Sequence, residues 1–126
     1  MKKVVLATLA AGIWMNASEF IRNELLLKDQ WVSGFDSLGL GFPGAPINGM
    51  VWGLWAFTMC AVIVVLLKQL SVLRATIVTW VLGFVLMWAA MLNLGVFPEG
   101  LLAIAIPWSF IEVYGSAFIA KKVLDK

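Results

Sequence analysis

The sequence has no histidine, a single cysteine and long stretches without charge. Without histidine it lacks the usual ligand for haem, zinc or copper and the commonest general base at neutral pH. A lone cysteine, Cys60, cannot close a disulfide within the chain and reads as a small packing residue. The missing charges say most. Residues 37–67 are 31 uncharged positions and residues 75–98 are 24, more than a water-soluble domain of 126 residues could bury. About 20 apolar residues cross the roughly 30 Å hydrocarbon core of a bilayer, so each run holds a spanning helix. The flanking stretches around Ala10 and Ile111 hold two more. No motif names a metal, a cofactor or a reaction, and a net charge of +2 is too small to imply a nucleic-acid partner.

Hydrophobic residues make up 63% of the chain and charged ones 13%, against about 45–50% and 25% in a soluble domain. Nearly all of the protein must therefore sit in lipid or against itself. The expected fold is an all-α integral membrane protein: one domain over residues 1–126, with helices at about 4–27, 48–67, 73–95 and 100–122 in an up-and-down antiparallel bundle. Its basic residues are asymmetric. Lys2, Lys3, Lys68, Arg74, Lys121, Lys122 and Lys126 fall on the side that holds both termini and the middle turn, and only Arg22 and Lys28 fall on the other. The positive-inside rule then makes both termini cytoplasmic, with the chain multi-pass in a bacterial inner membrane. Met1-Lys-Lys, the apolar run Val4 to Met15 and the small residue Ala17 imitate a secretory signal peptide. Cleavage after Ala17 would leave three spans and strand Lys126 on the wrong side of the charge bias, so the segment is taken as the first span.

Along the first helix Thr8, Gly12, Asn16, Glu19 and Asn23 recur at helical spacing and share one stripe, which should face protein or water. Residues 28–47 hold Gly34, Gly39, Gly41, Gly44, Pro43 and Pro46, too many breakers for a span. With Trp31, Phe35 and Phe42 they are expected to form an outer loop on the membrane, with at most a short helical turn. Gly49 and Gly53 open the second helix at a spacing that lets helices approach closely. A short turn at Val96 to Gly100 makes the third and fourth helices a hairpin, and Pro107 removes one backbone hydrogen bond from the fourth. Asn16 with Phe20 and Asn93 with Phe97 share a spacing, a faint echo between the two hairpins.

Ionisable groups inside a span are costly and mark a function or a partner. Glu112 lies twelve residues past Gly100, about 18 Å deep at about 1.5 Å per residue, with Ser109 and Ser116 on its face. It is read either as a neutral acid that hydrogen bonds another helix and cements the bundle, or as a group that titrates or contacts a ligand, or as one that orients a partner subunit. Glu19 lies in the outer half of the first helix, where Arg22 at i+3 can neutralise it as plain anchorage. Asn16 and Asn93 are expected to hydrogen bond between helices. Trp52, Trp55 and Trp108 enter from the outer side above Glu112, as an aromatic-lined cavity or as core packing. The methionines fit adaptable packing.

The pattern Asn16-x-x-Glu19-Phe20-x-x-Asn23, then Asn93 and Phe97-Pro98, then Trp108-x-x-x-Glu112 resembles a loose group of uncharacterised four-helix bacterial membrane proteins. The resemblance covers most of the chain, implies no activity, and suggests that Asn16, Glu19, Asn93, Trp108 and Glu112 act together. Small multidrug exporters, with a membrane-embedded Glu in the first helix, are not matched, because Glu19 sits near the outer end beside Arg22. The leading expectation is a ligand-binding or transport module without cofactor, with an outward-facing pocket at Asn16, Glu19, Asn23, Asn93, Trp108, Ser109 and Glu112. The ligand would be small and either cationic or amphipathic. The alternative is a non-catalytic accessory subunit of a larger membrane complex, with Gly49 and Gly53 at its interface. Besides lipid, the expected partners are further copies of the chain or other membrane subunits. An intramembrane enzyme using Glu19 and Glu112 is disfavoured by their different depths.

Overall fold

The computed structural model describes residues 1–126 and contains helices and turns but no strand. Its helices are α1 (Lys2–Leu26), α2 (Lys28–Ser37), α3 (Pro46–Leu66), α4 (Val72–Asn93) and α5 (Leu102–Leu124). All but α2 are long and apolar enough to cross a membrane.

Local chemistry sets the ends of these helices. Pro46 opens α3 at a position where its missing N–H is no loss, and the Ser71 hydroxyl accepts from the Arg74 N–H to cap α4. Both α2 and α4 stop at a glycine in the left-handed region, Gly39 (φ 71°) and Gly95 (φ 70°). In each case two N–H groups turn back onto the last helical turn: Leu40 N donates to Phe35 O and Gly39 N to Asp36 O, while Val96 N donates to Met91 O and Gly95 N to Leu92 O. This is the Schellman arrangement, which satisfies carbonyls that a helix end leaves open. It ends α4 two residues before the boundary expected from the apolar pattern.

Contacts between helices fix the topology. A side chain at Gly12 would overlap Phe57 of α3, and one at Gly53 would touch Asn16, so α1 and α3 run antiparallel. Trp14 lies against Gly115 of α5 while Ser18 meets Trp108, so α1 and α5 are also antiparallel. Met59 against Gly83 and Trp55 against Phe84 join α3 to α4. One end of the bundle therefore holds both termini and the turn before α4. The other, the loop end, holds α2 and residues 94–101.

The core toward the termini is made of small residues. Ala7, Ala11, Ala56, Ala117 and Ala120 are fully buried among Met15, Cys60, Ile63, Val64 and Val113, because small side chains let helix backbones come close. The expected packing pair behaves differently. Gly49 is exposed, with nothing within 4 Å of where a Cβ would stand, and a Cβ at Gly53 would be in ordinary contact with Asn16 at 3.4 Å. The close approaches fall at Gly12 and Gly115 instead. Gly49 and Gly53 sit where Trp52 and Trp55 hold α3 away from its neighbours and leave a cavity.

Residues 28–47 also depart from the expected loop. Lys28–Ser37 form a full ten-residue helix, tied down where Gly34 lies against Pro98, so closely that a Cβ would come within 2.9 Å of it. Gly34 here permits a contact, and α2 crosses the bundle end to reach the turn between α4 and α5.

Candidate functional site

Two helical segments widen where the site forms. At Ile21–Leu26 in α1 and Val81–Val85 in α4 the backbone adopts π-helical turns, in which Leu27 N reaches back to Arg22 O and Leu86 N to Val81 O. Such turns add a residue to the helical circumference and swing side chains to new directions. Arg22 and Phe84 each belong to one of these segments and face each other, with the guanidinium carbon 4.9 Å from the ring centroid.

Arg22 is the centre of a buried charged cluster. Its Nη2 lies 3.4 Å from Glu112 Oε1 and 3.7 Å from Glu19 Oε1. Arg22 and Glu19 are 6% and 7% exposed and Glu112 is wholly enclosed. Glu112 is held from several directions: the Ser18 hydroxyl donates to its Oε2 at 2.8 Å, and Trp14 Nε1 and the Ser116 hydroxyl both donate to its main-chain oxygen at 3.0 Å. Trp108 Nε1 in turn donates to the Ser18 hydroxyl at 3.0 Å and to the Ser18 carbonyl at 3.2 Å. Two carboxylates and one guanidinium sum to −1 when both acids are ionised. Removing such groups from water is expensive, and their mutual attraction offsets this only with good geometry. Both ion pairs are long, and Arg22 Nε and Glu112 Oε1 have no hydrogen-bond partner.

Above the cluster lies a cavity of about 640 Å³. Asn16, Glu19, Arg22 and Asn23 line its polar part, and Trp52, Trp55, Phe84 and Trp88 its apolar wall. These four rings touch in sequence, with centroids 5.9, 5.6 and 5.8 Å apart. The roof is α2 and the strand of chain after it. Trp31 Nε1 donates to Asn23 Oδ1 at 3.1 Å, Phe35 and Phe42 meet edge to face at 5.4 Å, and Lys28, paired with Glu24 at 2.8 Å, lies over the Phe42 ring.

Of the seven residues expected to form one pocket, three line this cavity: Asn16, Glu19 and Asn23. Glu112 sits beneath its floor and reaches it only through Arg22. Ser109 faces α4, where Trp80 Nε1 donates to its hydroxyl at 2.9 Å while that hydroxyl donates to Ile106 O. Trp108 supports Ser18 and does not line the cavity. Asn93 stands apart, exposed on the last residue of α4, because the Schellman turn ends the helix there and leaves it at the bundle surface. Asn16 does not bond between helices either, since its Nδ2 donates to Gly12 O in its own helix at 2.9 Å. The two acids, expected at different depths, meet at one guanidinium, with carboxylate oxygens 3.7 and 3.4 Å from the same Arg22 Nη2.

Arg22, Ser18, Phe84 and Trp88 were not expected in the site. Arg22 stands at i+3 from Glu19 and at i+4 from Ser18, so spacing alone could have placed Arg22 beside both. Phe84 carried no such signal, because its approach depends on how α4 meets α1. No three His, Cys, Asp or Glu side chains converge as a metal-ion site would require. The cluster offers hydrogen-bond donors, acceptors and charge beside a ring-lined space, which is binding chemistry. Comparison of the chain with protein-family models, curated proteins and solved structures finds no match.

Proposed function

We propose that this chain is a multi-pass membrane protein that binds a small amphipathic molecule in the loop-end cavity, as a binding or transport module. The observation that carries the reading is the joining of a polar floor to an aromatic wall. Glu19 and Arg22 line the same 640 Å³ space as Trp52, Trp55, Phe84 and Trp88, within helices long enough to span a bilayer. That volume lies in the range of about 300–1,000 Å³ common for small-molecule sites. Charged groups at such a depth serve a function more often than they serve stability.

The burial of Arg22 also supports the orientation with both termini in the cytoplasm. Of the two basic residues assigned to the loop end, only Lys28 remains at the surface, and it is paired with Glu24. The charge bias toward the terminal end becomes steeper.

The test is native mass spectrometry of the protein extracted gently from its own membrane, beside a Gly49→Trp variant that fills the cavity from a position with open space around it. A reproducible small-molecule adduct on wild type, absent from the variant, is expected. Foreign subunits in fixed ratio with no such adduct would overturn this reading and favour an accessory subunit. The exposed Gly49, which meets nothing within the chain, would then be part of the interface.

A further inference from the structure

Arg22 is an arginine more than nine-tenths buried whose hydrogen-bonding capacity the chain leaves unused. A guanidinium carries five N–H donors in a planar fork. Nε is enclosed and has no partner, and the carboxylate oxygens nearest Nη2 stand at 3.4 and 3.7 Å, beyond the roughly 2.7–3.2 Å of an N–H···O hydrogen bond, so the terminal N–H groups are the donors a molecule in the cavity would meet. A buried donor without an acceptor costs about 1–3 kcal/mol, more for a charged group. The side chain also lines the cavity.

The surrounding charges restrict what can supply the acceptor. A cationic head would meet the Arg22 guanidinium at the floor. An anionic head would meet Glu19 on the cavity wall, with Glu112 just beneath. Glu24 and Lys28, the other charged residues lining the space, are paired with each other at 2.8 Å. An uncharged oxygen acceptor satisfies Arg22 without opposing either acid. Beside it, Phe84 lies against the guanidinium at 4.9 Å and continues into Trp55, Trp52 and Trp88 through ring contacts that are mostly edge to face. Such an array presents faces and edges to a flat ring.

We infer that the cavity takes an uncharged, ring-bearing amphiphile whose carbonyl oxygen accepts from Arg22 and whose ring lies among Trp52, Trp55, Phe84 and Trp88, a substituted quinone being the simplest instance. This rests on the proposed binding function and narrows the sequence-based expectation of a cationic or amphipathic ligand to an uncharged one.

The experiment presents the purified full chain, in lipid nanodiscs, with an equimolar mixture of decyl-substituted benzoquinone, dodecanoate and dodecyltrimethylammonium, and scores adducts by native mass spectrometry. The quinone should form a one-to-one adduct in excess of the other two. Arg22→Lys keeps the charge but loses the fork and should weaken the adduct about tenfold, as expected for one charge-assisted hydrogen bond. Gly49→Trp should remove it by occupying the space. Preference for the ammonium or the carboxylate, lost in Gly49→Trp, would overturn the uncharged head while leaving the cavity as a binding site. A quinone adduct indifferent to Arg22→Lys would overturn the role of Arg22. No adduct from the mixture, when the protein extracted from its own membrane carries one that Gly49→Trp removes, would overturn the quinone-like head alone. No adduct from either source would overturn the binding function as well.

Discussion

The two ends of the bundle are built from the same helices and packed on opposite principles. Toward the termini, α1 and α5 bury Ala7, Ala11, Ala117 and Ala120 completely, and the contact between them is close enough that Gly115 lies under the Trp14 ring. Toward the loops, the same helices and α3 carry Asn16, Glu19, Trp52 and Trp55, and they surround a space of about 640 Å³. Small side chains let backbones meet, while tryptophans are bulky and polar groups need partners of their own. The charged cluster lies at the boundary, where the closed half ends and the cavity begins. A single set of long apolar helices thus keeps one half tightly packed and leaves the other half open around a cavity.

The sharpest way to break this contrast is to remove the central charge. Arg22→Leu leaves Glu19 and Glu112 without their shared counter-ion, and loss of one member of a buried ionic group costs about 3–5 kcal/mol. Unfolding by sodium dodecyl sulfate in mixed micelles, followed by tryptophan fluorescence, should show the full loss. An unchanged midpoint would mean the cluster does not hold the boundary.

Ser18→Ala is expected to cost about 2 kcal/mol, since it removes the donor to Glu112 and an acceptor for Trp108 together. Ser18→Thr keeps the hydroxyl and should recover much of this in the same unfolding assay. In the closed half, Gly12→Ala puts a methyl into the Phe57 ring, and overpacking of this kind costs about 1 kcal/mol or more even after the gain in helix propensity. A stabilised Gly12→Ala, read from thermal aggregation in detergent, would show that Phe57 can move aside and that the closed half is looser than its burial implies.

The smallest effects are expected where side chains meet nothing. Gly49→Ala should stabilise by about 0.5–1 kcal/mol through helix propensity alone, because a Cβ there has open space, and Asn93→Ala, at an exposed position, should change stability by less than about 0.5 kcal/mol. Gly49→Ala is informative in the other direction too. If it shifts the mass of the assembly on size exclusion while the fold stays intact, the open end is closed by another chain.

Much of this architecture was legible from residue order. Uncharged runs at 37–67 and 75–98 marked two of the long apolar helices directly, and Glu112 stood out because an acid in an apolar helix is expensive wherever the neighbouring helices lie. Spacing also put Asn16, Glu19 and Asn23 on one stripe, and the three do share a cavity. Other assignments failed for definite reasons. Arg22 looked like an interfacial counter-ion to Glu19, and the i+3 pairing is there, but spacing along one helix cannot show that Glu112 of α5 and Phe84 of α4 close on the same guanidinium. Gly49 and Gly53 looked like a packing pair because small-residue spacing says that helices can approach, never that they do. The breakers in residues 28–47 hid α2, because Gly34 serves a contact with Pro98 that lies far away in sequence.

Residue order alone dictates an all-helical chain with four segments long and apolar enough to cross a membrane, and a few costly polar groups within them. Those conclusions follow from hydrophobic length and helical period, which are properties of consecutive residues. Helix packing is what makes Glu19 and Glu112 share Arg22, leaves Asn93 outside and walls a cavity with the tryptophans of α3 and α4. These depend on which faces of separate helices meet, as where Arg22 of α1 lies against Phe84 of α4.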